Sequence, residues 1–319
     1  MALKIVFLDG FTINPGDLNW KTLEACGDLT VYDRTSPADV VRRIADAEVV
    51  IVNKTVLSEE HFSVLPKLRL ICVAATGFDR VDVASARKHG ITVCNCAGYS
   101  SRSVAQLVAS FILEVADSVG EYARLNRDGA WNRSEDFCYT IRPRIELVGK
   151  RMAIVGFGHI GRAVADVMRP FGLKLFAVSS KGQEGLPEDV SKISLEEAFA
   201  TCDIVSLNCP LTENNAKMVN AGLLDKAKPG LLLVNTARGG LVDEADVCEA
   251  LVSHKLGAYL ADVLAQEPPT ASCPLLKAPR VYLTPHIGWA TPDARMRILS
   301  ILSENIRAFM AGTPQNVVN

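Results

Sequence analysis

Three polar residues of this 319-residue chain stand where apolar runs end, and their types suit one reaction. His286 follows Val-Tyr-Leu-Thr-Pro, Glu267 follows Ala-Asp-Val-Leu-Ala-Gln, and Arg238 follows Leu-Leu-Leu-Val-Asn-Thr-Ala. A protonated imidazole delivers a proton to an oxygen on which negative charge builds, as when a hydride reaches the carbonyl carbon of a 2-keto acid. A carboxylate beside the imidazole orients it and stabilises its cationic form. An arginine forks onto a substrate carboxylate and carbonyl, polarising the C=O and fixing the face it presents. A histidine after proline is commonly structural when it stands alone; the three together favour acid/base chemistry on a small 2-keto or 2-hydroxy acid.

Such chemistry needs a hydride carrier, and the chain has a place for one. The apolar run Met152–Gly156 leads straight into Gly156-Phe-Gly158-His159-Ile160-Gly161, and a helical pattern follows over Arg162–Arg169. A lone G-x-G-x-x-G is weak, but between a strand and a helix it reads as a dinucleotide turn. Gly156 permits the turn, Gly158 lets the backbone approach a pyrophosphate, and Gly161 allows close helix–strand packing. The helix start at His159 and Ile160 then offers free N–H groups and a positive dipole end. The next strand should end in an acid that binds the adenosine ribose hydroxyls. It ends instead in Ser179-Ser180-Lys181. With no carboxylate to repel a 2′-phosphate, and with Lys181 to neutralise one, NADP or NAD is expected, with NADP favoured.

Strands must carry these residues to one edge. Apolar runs near Lys4–Leu8, Leu29–Tyr32, Val49–Val52, Leu70–Ala74 and Thr92–Asn95 alternate with helical segments such as Pro37–Ala47, Ser58–Val64 and Asp82–His89. This first part reads as one flavodoxin-like α/β unit. A long helix is expected over Ser100–Arg127, then a polar loop. A second unit follows, with strands Met152–Gly156, Lys174–Val178, Ile204–Leu207, Leu231–Thr236, Tyr259–Val263 and Val281–Thr284. The closing helix, Pro292–Met310, is expected to pack back on the first unit. The fold class is therefore α/β: two doubly wound parallel-sheet domains, a Rossmann dinucleotide-binding domain over 100–289 and a substrate domain formed by 1–99 and 290–319. The chain would cross between them near 98–102 and 287–290, making a hinge with a ligand cleft between the lobes. In doubly wound sheets, ligands lie beyond the carboxyl ends of the strands, where Arg238, Glu267 and His286 all fall.

Composition narrows the field. A net charge of −2 provides no basic footprint for nucleic acid or an anionic membrane. No run approaches the ~20 apolar residues of a membrane helix, and the N-terminal MALKIVFLDG has no signal-peptide pattern. The nine cysteines are odd in number and scattered, which reads as free thiols in a reducing compartment, with the cytoplasm expected. Cys94 and Cys96 lack a second pair at zinc spacing, so no metal site is expected.

The segments Val155-Gly-Phe-Gly-His-Ile-Gly-Arg162, Asn235-Thr-Ala-Arg-Gly-Gly-Leu-Val-Asp243, Asp262-Val-Leu-Ala-Gln-Glu-Pro268 and Thr284-Pro-His-Ile-Gly-Trp-Ala-Thr291 occur in that order. With them the sequence resembles the D-isomer-specific 2-hydroxyacid dehydrogenase family over essentially its whole length. The stretches Asn95–Gln106 and Trp131–Cys138, with Trp289 directly after His-Ile-Gly, are similar to its glycerate dehydrogenase/hydroxypyruvate reductase branch. The resemblance places the catalytic roles on Arg238, Glu267 and His286 and a nicotinamide-carboxamide ligand on Asp262. It places further cofactor contacts on Cys209, Pro210, Thr236, Ala237 and Gly288. Backbone N–H groups of Ala75, Thr76 and Gly77, in the run to Asp79, would receive the substrate carboxylate, with Lys54 facing the same cleft. The resemblance also implies a homodimer. Ser179 departs from the family's usual acid, which puts NAD preference in doubt. Glyoxylate reductase, phosphoglycerate dehydrogenase and D-lactate dehydrogenase activities are the alternatives within the family. A dinucleotide-sensing co-repressor is the alternative outside enzymes.

Overall fold

The computed structural model describes residues 2–319 and divides into two compact units. One runs up to Ser100 and takes in Trp289–Asn319; the other is Ser101–Gly288.

The first unit contains β1 (Lys4–Phe7), α1 (Lys21–Glu24), β2 (Asp28–Val31), α2 (Val40–Ile44), β3 (Val49–Val52), α3 (Glu59–Phe62), β4 (Leu70–Val73), α4 (Val83–Lys88) and β5 (Thr92–Cys94). The second opens with α5 (Ser101–Asp117) and α6 (Val119–Arg127). It continues through β6 (Arg151–Val155), α7 (His159–Met168), β7 (Lys174–Val178), β8 (Val190–Lys192), α8 (Leu195–Thr201), β9 (Ile204–Leu207) and α9 (Ala221–Leu224). It closes with β10 (Leu231–Asn235), α10 (Glu244–Val252), β11 (Leu256–Ala261) and β12 (Val281–Leu283). The last helix, α11 (Pro292–Met310), belongs to the first unit.

The first sheet has the order β2-β1-β3-β4-β5, and every pairing in it is parallel. Its inner strands β3 (Val-Val-Ile-Val) and β4 (Leu-Ile-Cys-Val) are buried throughout, as expected of parallel strands covered on both faces. One face packs on Ile298, Leu302 and Ile306 of α11. That helix starts at the Thr291 cap, whose Oγ1 accepts the Ala294 N–H (3.2 Å), with Pro292 at its first position. Cys72, Cys94 and Cys96 are buried in the same core, where desolvation pushes the Cys94 thiol up to about 11.

The second sheet is also parallel, with order β12-β11-β10-β9-β6-β7-β8. Alternate residues of β6 serve opposite faces. Met152 and Ile154 pack with Val164 of α7 and Ala105 of α5, while Ala153 and Val155 pack with Phe199 of α8 and Val247 of α10. The strand order reverses at β6, so the crevice between the ends of β6 and β9 is a topological switch point.

Three features differ from the sequence expectation. The helix over Ser100–Arg127 is two helices, broken at Ser118 (φ 54) and bent by 56°. Glu114 reaches past the break and accepts the Gly120 N–H (3.1 Å), so a side chain, not apolar periodicity, starts the second helix. Edge strand β8 has only three residues, two of them exposed, which is too short to show a period. β11 begins at Leu256, ahead of the expected Tyr259, because Gly257 interrupts the apolar run. A Cβ there would lie 2.4 Å from the Gly230 carbonyl, so the strand needs glycine to pass.

Candidate active site

Arg238, Glu267 and His286 follow β10, β11 and β12, three neighbouring strands of the second sheet, and all lie beyond the carboxyl ends. His286 Nδ1 is 2.6 Å from Glu267 Oε2, and the other carboxylate oxygen of Glu267 accepts the Leu264 N–H at 3.0 Å. Both oxygens are thus committed, and the ring is held through Nδ1. Nε2 is left as the nitrogen for proton transfer.

The backbone of His286 is itself shaped. Its φ is 56°, in the left-handed region where histidine is more frequent than most side chains. Asp262, buried at the end of β11, holds that conformation. It accepts Thr284 Oγ1 (2.5 Å) and Ile287 N (2.8 Å) on one oxygen and Gly288 N (2.7 Å) on the other. One carboxylate therefore closes the 284–288 loop on both sides of the imidazole.

Arg238 is positioned by a residue that was assigned no role from its type and spacing. Asn235, fully buried, donates from Nδ2 to the Arg238 carbonyl (2.9 Å) and accepts the Ala237 N–H (3.1 Å). Its amide also lies 3.3 Å from the buried Tyr259 hydroxyl. Arg238 Nη1 donates to the Ala237 carbonyl (2.8 Å). Gly239 lets this turn meet the Glu267 loop, since a Cβ there would lie 1.9 Å from Leu264 C. The signal was present as a buried polar residue ending an all-apolar strand.

The glycine turn fits a dinucleotide. A Cβ on Gly156 would sit 2.6 Å from Cys209 N, and one on Gly161 would sit 2.2 Å from the Gly156 carbonyl, so both are packing glycines. A Cβ on Gly158 would meet nothing within 4 Å, so the backbone there borders open space. α7 starts at this point with no side-chain cap, leaving the first helical N–H groups for an anion. Nearby, at the ends of β9 and β10, Asn208 Oδ1 and Thr236 Oγ1 are buried without a hydrogen-bond partner. Buried polar atoms of that kind want a ligand or water. Ser179 follows β7 and accepts the Lys181 N–H (3.1 Å), while Lys192 of β8 donates to the Lys181 carbonyl (2.7 Å) and braces the turn.

The remaining candidates lie in the first unit, at the carboxyl ends of the paired strands β3 and β4. Lys54 is exposed just past β3. Its backbone, with that of its neighbours, is held by Asp9, a buried carboxylate at the end of β1. Asp9 accepts the N–H groups of Asn53 (2.8 Å), Lys54 (2.6 Å) and Thr55 (2.7 Å) and the Thr55 hydroxyl (3.0 Å). Ala75, Thr76 and Gly77 form the loop after β4. Asp9 is a second positioning residue that pattern alone did not identify.

The sequence model described as "D-isomer specific 2-hydroxyacid dehydrogenase, NAD binding domain" matches residues 109–288. The chain is 40% identical to a hydroxypyruvate reductase of Blautia hydrogenotrophica, over 99% of this chain and 100% of that protein. It is 36% identical to a glycerate dehydrogenase of Methylorubrum extorquens, over 100% and 99%. Among solved structures, an acyclic imino acid reductase in complex with NADPH and D-Arg superposes with a TM-score of 0.88 at 25% identity, covering 99% of this chain and 100% of that one. The carboxyl-edge histidine and carboxylate, the dinucleotide turn and end-to-end similarity to these relatives agree: the chain belongs to the D-isomer-specific 2-hydroxyacid dehydrogenase family and is a nicotinamide-dependent oxidoreductase of 2-hydroxy acids.

Proposed function

We propose that this enzyme interconverts hydroxypyruvate and D-glycerate, with NADPH as the preferred reductant. The observation that carries the reading is the 2.6 Å His286–Glu267 pair on a loop clamped by Asp262. When bound, the dinucleotide supplies the hydride. His286 Nε2 holds the proton destined for the keto oxygen, and Glu267 keeps the ring oriented through Nδ1. Arg238 forks onto the carboxylate and carbonyl of the acid, orienting C2. In the first unit, the N–H groups of the Ala75–Gly77 loop receive the carboxylate, and Lys54 adds positive charge. On the cofactor side, Gly156, Gly158, His159, Ile160 and Gly161 would hold the pyrophosphate, Cys209, Pro210, Thr236 and Ala237 would line the rest of the site, and Asp262 and Gly288 would bind the carboxamide.

The substrate rests on the two relatives, whose names are hydroxypyruvate reductase and glycerate dehydrogenase. The cofactor rests on Ser179, Ser180 and Lys181, which set no negative charge against a 2′-phosphate. The imino acid reductase relative was solved with NADPH. We further propose a homodimer formed through the second unit, where Phe137 is 90% and Val148 68% exposed. A reducing cytoplasm as its compartment suits the nine free thiols.

A panel of 2-keto acids run with NADPH and with NADH tests both parts. Hydroxypyruvate should give the highest kcat/KM, and NADPH should exceed NADH by at least tenfold. Ser179→Asp should cut the NADPH preference by about tenfold or more, since about 1.4 kcal/mol of charge repulsion is already a factor of ten. A wild-type preference for NADH would overturn the cofactor assignment. Higher kcat/KM on glyoxylate or pyruvate than on hydroxypyruvate would overturn the substrate.

A further inference from the structure

The loop after β4 is stapled to the segment after β5 by three hydrogen bonds. Cys96 N donates to the Ala75 carbonyl (3.0 Å), Thr76 Oγ1 donates to the Cys96 carbonyl (3.1 Å), and Asn95 Nδ2 donates to the Thr76 carbonyl (2.7 Å). The carbonyls of Ala75 and Thr76 are therefore both turned toward residues 95–96. These peptide bonds are trans, so the N–H that follows each carbonyl points the opposite way. The N–H groups of Thr76 and Gly77 donate to no acceptor among the described residues. Two adjacent N–H groups without partners on a partly exposed loop form a carboxylate-sized donor pair.

The anchor of this arrangement is fixed on every side. Asn95 is 8% exposed; its N–H donates to the Asn316 carbonyl (3.0 Å), and its own carbonyl accepts Asn305 Nδ2 (3.0 Å). Asn305, fully buried in α11, in turn accepts Asn316 Nδ2 (2.8 Å). A relay of amides, buried at Asn305 and Asn95, thus runs from the C-terminal tail through α11 to the Thr76 peptide. Linked hydrogen bonds of this kind favour one conformation. Of the groups in it, only the Asn95 side chain touches the 76–77 peptide.

We propose that Asn95 is a positioning residue for substrate binding: by holding the Thr76 carbonyl, it turns the Gly77 N–H outward to the substrate carboxylate. The inference rests on the reading of Ala75–Gly77 as the carboxylate-receiving loop. Asn95→Asp is the direct test, since an ionised carboxylate has nearly the same shape but cannot donate and repels the carbonyl. KM for hydroxypyruvate should rise about tenfold or more, the loss expected when a hydrogen bond to a charged group is spoiled. kcat and the dissociation constant of NADPH should stay within about twofold. The KM ratio of variant to wild type should shrink as pH falls and the new carboxyl regains a proton to donate. Asn95→Ala should raise KM by a similar or smaller factor that does not change with pH, and it serves if the Asp variant fails to fold. Gly77→Pro, which deletes the N–H, separates the two readings. If it leaves KM unchanged, the loop does not hold the carboxylate and the proposal falls with it. If it raises KM while both Asn95 variants behave as wild type, the loop reading stands and the role of Asn95 is overturned.

Discussion

His286 depends on two carboxylates that act differently. Asp262 sets the backbone, accepting donors on both sides of the residue, while Glu267 sets the ring through Nδ1. Glu267→Gln keeps the shape but removes the negative charge that faces the ring at Nδ1. We expect kcat for keto-acid reduction to fall by about a hundredfold, with NADPH affinity unchanged. Steady-state kinetics with a fluorescence titration of the cofactor reads both; unchanged kcat would remove Glu267 from the catalytic pair. The trio was legible in the sequence because it combines reactive side-chain types with strand-end positions. Asp9 and Asn95 were not, because their roles are hydrogen bonds made only once distant segments meet, whereas Asn235, whose bonds to Ala237 and Arg238 are local, showed only as a polar residue ending an apolar strand. Asp9 reaches residues more than forty positions away, and Asn95 reaches Thr76 across a strand pairing.

At the scale of elements, the β6–α7 turn sets two glycines to different tasks. At Gly161 a Cβ would press on the Gly156 carbonyl, whereas at Gly158 it would meet open space. Gly161→Ala should therefore lower the stability of the chain by about 1–3 kcal/mol and weaken cofactor binding as helix and strand separate. Gly158→Ala should leave Tm near wild type and still weaken cofactor binding, because the added methyl occupies space the pyrophosphate needs. Thermal melts with and without NADPH distinguish the two; equal losses of Tm would contradict the assignment. Strand existence was legible here because β-branched runs such as Val49–Val52 are unambiguous. The break at Ser118 was not, because apolar positions continue across it and the cap comes from Glu114.

At the scale of the whole molecule, the parallel order of both sheets was legible from alternating short apolar runs and helices, since parallel strands need crossovers. All the candidate cofactor contacts lie within Ser101–Gly288, a continuous stretch with its own core, while the Ala75–Gly77 loop and α11 lie in the other unit. A fragment spanning residues 101–288 should fold, bind NADPH and reduce no keto acid; a fragment without cofactor affinity would show that the division does not hold functionally. The central claim, proton delivery by His286 to a reduced 2-keto acid, has its most direct test in single-turnover kinetics. Enzyme preloaded with NADPH is mixed with hydroxypyruvate while nicotinamide absorbance is followed, for the wild type and for His286→Ala. The wild type should lose absorbance rapidly. In the variant the loss should be slower by a factor on the order of 10² to 10⁴, with cofactor binding intact. Equal rates in the two proteins would contradict the claim.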